Sequence, residues 1–112
     1  MGNIAVFDYG GETLDRYTVI FLDNPVSDDP HYSDRYSYLA MSTRPFHPQG
    51  FGQYGEIKIH PSDLRQLRKG KGQRLFSHLG KLINFEDLPE DCQKLVNIDL
   101  AMYSLSQLES TF

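Results

Sequence analysis

The side chains best suited to chemistry are dispersed along this 112-residue chain. His31, His47, His60 and His78 have neither the i, i+4 spacing of a helical zinc pair nor a Cys-x-x-Cys partner. A metal site would have to draw on His47, His60 and a distant carboxylate, and the spacing favours surface or capping histidines instead. Cys92 falls on an apolar helical stripe with no fixed cation nearby, so it reads as a small hydrophobe and not as a nucleophile. There is no Ser-His-Asp order with a nucleophile elbow and no phosphate loop. The chain points away from an enzyme and names no cofactor.

The most distinctive stretch is PFHPQGFGQYGE, Pro45 to Glu56. Gly50, Gly52 and Gly55 allow positive φ and close backbone approach, while Phe46, Phe51 and Tyr54 bring large rings and His47 a titratable one. The glycine spacing matches a dinucleotide fingerprint only by accident, because a strand-like Glu56-Ile57-Lys58-Ile59 follows in place of a phosphate-binding helix. We expect a defined loop at one end of a sheet, with its rings received either by the core or by a partner. Phe51 suits the core, and Tyr54, with its polar handle, suits the surface. A small planar ligand such as a nucleotide would stack on these rings, with Arg16 or Arg44 supplying charge.

The formal net charge of −4 argues against nucleic acid or an anionic membrane as the main partner. The charge is uneven. Residues 8 to 34 hold Asp8, Glu12, Asp15, Asp23, Asp28, Asp29 and Asp34 against Arg16 alone, whereas residues 58 to 81 are basic. Asp28, Asp29 and Asp34 would offer a surface to a basic, nucleic-acid-handling protein. The segment Arg65 to Arg74 lacks interleaved aromatics and reads as a solvated face. With one cysteine, no basic-then-apolar leader and no long apolar run, a cytoplasmic protein without internal disulfides is expected.

Some scaffold must position these residues. Seven Phe and seven Tyr supply bulk for one core, and the length suits one domain over residues 1 to 112. Asn3 to Phe7 predicts a short strand closed by Asp8-Tyr9-Gly10-Gly11. Arg16 to Leu22, β-branched and aromatic, predicts a second, with the charged pair Asp15-Arg16 either ion-paired at its start or lining a cleft. Arg35 to Met41 alternates and predicts the return strand, and Glu56 to His60 predicts another. Pro61 to Lys69 predicts a short helix stopped by Gly70, and His78 to Phe85 ends in a strand. Leu88, Cys92, Leu95, Val96 and Leu100 follow helical spacing, with Asp87 as N-cap; Met102 to Leu108 extends or frays this helix. The expected fold is α+β, a small antiparallel sheet of four or five strands covered by a C-terminal helix.

Read in order, Gly10-Gly11-Glu12-Thr13-Leu14-Asp15-Arg16-Tyr17-Thr18-Val19, Met41-Ser42, Pro48-Gln49-Gly50-Phe51 with Gly55-Glu56, His78-Leu79-Gly80-Lys81 and Leu88-Pro89-Glu90 resemble a family of small proteins carried by phages, prophages and plasmids. The similarity spans most of the chain, which is longer around residues 24 to 36 and 58 to 75 than compact members. The resemblance implies a mobile-element accessory protein that acts inside a bacterial host on a host factor such as a defence complex. It carries no catalytic residue over to this chain.

Overall fold

Ile4 to Phe7 is apolar at four successive positions, and a strand can bury such a run only if both faces of its sheet are covered. The computed structural model, which describes residues 3–10, 16–25, 35–41, 53–71 and 76–110, meets that condition. Strands β1 (Ile4–Asp8), β2 (Tyr17–Pro25), β3 (Arg35–Met41), β4 (Gln53–Lys58) and β5 (Lys81–Ile83) form one antiparallel sheet in the order β4-β3-β2-β1-β5. Helix α1 (Pro61–Arg68) follows β4, and helix α2 (Glu90–Ser110) closes the chain. The fold is α+β.

The sheet has a core on each face. Ile4, Val6, Tyr17, Val19, Phe21, Leu39 and Met41 project to one side and pack with Leu88, Cys92 and Val96 at the start of α2 and along it. Ala5, Phe7, Ile20, Leu22 and Tyr36 project to the other and meet Ile59, Leu67 of α1 and Phe76. The Phe7 and Phe76 rings make an edge-to-face contact with centroids 6.0 Å apart. The expected cover by the C-terminal helix is present, and the short helix expected from Pro61 to Lys69 forms as α1 and covers the second face, carrying the chain from the β4 edge toward the β5 edge.

Other boundaries shift for identifiable reasons. Tyr54 and Gly55 belong to β4 and not to a loop, because they pair with Leu39 and Tyr38 of β3. The far end of the Tyr38 ring occupies the space in which a side chain at 55 would lie, so glycine is favoured there. Asp87 does not cap α2. Its carboxylate accepts the Asn84 N–H at 3.0 Å and closes a separate 3₁₀ turn, Phe85–Asp87, and α2 starts two residues after Leu88. The Met102 to Leu108 segment continues the helix. Gly70, at φ +71°, stops α1 as expected.

Candidate functional site

Among the described residues, two polar clusters stand out, one built by strand register and the other by a helix that crosses the sheet. In the first, Asp8 ends β1 and Arg16 precedes β2, on the line where Asp8 pairs with Tyr17. Arg16 donates from Nε to Asp8 Oδ1 at 2.8 Å and from Nη2 to Oδ2 at 3.2 Å, while the Gly10 N–H donates to Oδ1 at 2.8 Å. The guanidinium also lies 4.8 Å from the centroid of the Tyr17 ring. The Arg16 hydrogen bond, helped by Gly10, holds the Asp8 carboxyl below its ordinary range despite partial burial. Gly80, at φ +99°, lies against the Asp8 carbonyl and Tyr9, where no side chain fits. The partner of Arg16 is thus Asp8, across the β1–β2 pairing; Asp15, the other half of the expected charged pair, lies outside the described residues. Arg16 keeps its charge within that pair.

In the second, α2 crosses the whole sheet. It leaves the β5 side after the 3₁₀ turn and reaches the opposite edge at Asp99, whose carboxylate accepts from the Tyr54 hydroxyl at 3.2 and 3.0 Å. The run from Leu88 to Asp99 covers about 16 Å at 1.5 Å per residue, close to the roughly 19 Å that four strand spacings put between the outer strands. Burial raises the Asp99 carboxyl, and the Tyr54 hydrogen bond partly offsets this. Tyr54 remains 61% exposed.

The outward side of α2 carries what sequence reasoning missed. Val96 is fully buried, and two residues on, a step of about 200° around the helix, Ile98 is 58% exposed; Met102, one turn later, is 63% exposed. Asn97 and Ala101, the residues just before each of them, are also exposed. The available signal was a second apolar series at Ile98, Ala101, Met102, Leu105 and Leu108, distinct from the buried stripe and at three- and four-residue steps.

The other described titratable candidates are placed as follows, while His31 lies outside the described residues. His60 is the N-cap of α1, its Nδ1 accepting the Ser62 N–H at 3.2 Å. His78 is exposed and edge-on to Phe76. Cys92 is a buried thiol pushed up by burial and by Asp91, an environment that keeps it unreactive. Among the described residues no three His, Cys, Asp or Glu side chains gather as metal ligands, and no helix is long and apolar enough to cross a membrane. Arg68 pairs with Asp23 and donates to the Leu22 carbonyl at 2.9 Å, which fastens α1 to β2.

A cavity of about 370 Å³ lies beside β5, between β1, the end of α1 near Leu67 and Gly70, and the turn from Asn84 to Asp87. It is at the opposite edge of the sheet from Tyr54. Arg44, Phe46, His47 and Phe51 of the expected binding loop, and Asp28, Asp29 and Asp34 of the expected acidic surface, lie outside the described residues. No protein-family model matches the chain, and neither a curated protein nor a solved structure matches it.

Proposed function

We propose that the protein is a non-enzymatic binding module that docks on another protein through the outward face of α2. The observation that carries this reading is the exposure of Ile98 and Met102, large apolar side chains one turn apart on a helix whose opposite side already fills the core. A helix apolar on two sides is otherwise found buried on both. Among the described residues, Asp8 is engaged with Arg16, His60 caps a helix and Cys92 lies in the core. The resemblance to phage, prophage and plasmid proteins supplies the setting, a mobile-element protein acting on a host factor such as a defence complex.

Affinity capture from bacterial host lysate tests this, comparing wild type with an Ile98→Asp, Met102→Asp double variant. The reading expects a defined host protein recovered by wild type and lost by the variant at unchanged fold. Recovery of the same protein by both removes the α2 face from consideration.

The cavity beside β5 favours a second reading, a small-molecule binder, since its volume lies in the range of ligand sites. Arg16 would not be the anchor, because Asp8 engages it. Thermal shift across a nucleotide panel tests it: ligand at a hundredfold over its Kd stabilises by about 2.7 kcal/mol, and a flat panel rejects this reading.

A further inference from the structure

The sulfur atoms of this chain are unequally sheltered. Cys92 is buried in the core under α2, and its thiol pKa is pushed up by burial and by Asp91, so the reactive thiolate is disfavoured. Met41, at the end of β3, is 1% exposed and packs in the same core. Met102 is 63% exposed. Met1, the remaining methionine of three, lies outside the described residues. Among the described residues, an oxidant dissolved in water therefore meets the Met102 thioether first.

That thioether also occupies a particular place. Met102 stands one turn after Ile98 on α2, within Leu100 to Leu108, a stretch of sequence without a charged residue. Contacts made at this position are apolar ones. An unbranched, polarizable thioether suits them, because it adapts to the shape it touches. A sulfoxide does not, since it is polar and its oxygen needs a hydrogen-bond donor once water is excluded.

We propose that Met102 is a redox control on the outward face of α2, which docks a partner as the thioether and releases it as the sulfoxide. The inference rests on the docking reading above and adds its regulation. The oxidant is hydrogen peroxide. A sulfur lone pair attacks one peroxide oxygen and forms the S–O bond as the O–O bond breaks; the second oxygen leaves as water, taking up the proton of the first. Sulfur loses two electrons and the peroxide gains them. A methionine sulfoxide reductase reverses the step with two thiols, which leave as a disulfide and water.

Peptide mass mapping of the full chain after graded peroxide, with capture from host lysate measured on the same samples once the peroxide is removed, tests this. Sulfoxide should appear at Met102 at doses that leave Met41 and Cys92 unmodified, with Tm unchanged. Capture of the host protein that the Ile98→Asp, Met102→Asp variant fails to recover should weaken about tenfold or more, and the reductases should restore it. Met102→Leu, compared only with its own untreated sample, should show no response to peroxide. Oxidation of Met41 or Cys92 ahead of Met102 overturns the proposal and leaves the docking reading standing. So does full sulfoxide at Met102 with undiminished capture, or a Met102→Leu chain that responds to peroxide as wild type does. An untreated wild type that captures no such host protein overturns both.

Discussion

Tyr54 on edge strand β4 donates its hydroxyl to both carboxylate oxygens of Asp99 on α2, at 3.2 and 3.0 Å, and so ties the far edge of the sheet to the helix that crosses it. Asp99 is held there at a cost. Burial raises its pKa in the folded chain, so the folded state releases this proton later than the unfolded state does. Stability from this group is therefore greatest below the ordinary aspartate range and falls as pH rises through the raised folded value. Asp99→Asn, which can still accept from Tyr54, should raise Tm at pH 7 and leave it unchanged at pH 3. A lower Tm at pH 7 would contradict this account of Asp99.

Asp8 titrates in the opposite sense. Its hydrogen bonds from Arg16 and Gly10 lower its folded pKa, so its contribution is full above the ordinary aspartate value and is lost as pH falls through the lowered one. Asp8→Asn should reduce Tm at pH 7, and the gap to wild type should close near pH 2. A gap of equal size at both pH values would mean that the side chain matters for shape and not for charge.

The two constrained glycines should differ in sensitivity. Gly80 sits at φ +99° against the backbone of Asp8 and Tyr9, which cannot yield, so Gly80→Ala should cost about 3 kcal/mol. Gly55 meets only the far end of the Tyr38 ring, which can swing aside, so Gly55→Ala should cost about 1 kcal/mol. Urea denaturation of both variants checks the order.

Much of the scaffold was legible because its signals are local. Arg35 to Met41 alternates and forms β3 over those same residues, and Gly70 ends α1 where a left-handed residue is needed. The Leu88, Cys92, Val96 stripe also packs on the sheet as its spacing implies. The second covered face was less visible. Its sign was the unbroken apolar run at Ile4 to Phe7 and at Val19 to Leu22, which alternation alone does not distinguish from a one-sided strand. The candidate site was harder still. Asp8 and Arg16 meet through strand register, and Tyr54 and Asp99 through a crossing 45 residues apart in sequence. Ile98 and Met102 look like core residues in the sequence, and only packing decides which side of α2 the sheet takes.

The stability of the outward α2 face should be separable from its use. Ile98→Asp with Met102→Asp replaces exposed side chains and should change unfolding free energy by less than about 1 kcal/mol. A loss near 3 kcal/mol, the scale of core truncation, would place these residues in a core.

The most direct measurement is site-specific photo-crosslinking in a bacterial host, with the reactive side chain placed at Met102 or, as a control, at exposed Arg65 on α1. The account predicts one host protein joined from position 102 and absent from position 65. Labelling of the same proteins from both positions, or no host protein from position 102, would contradict the claim that α2 presents a docking face.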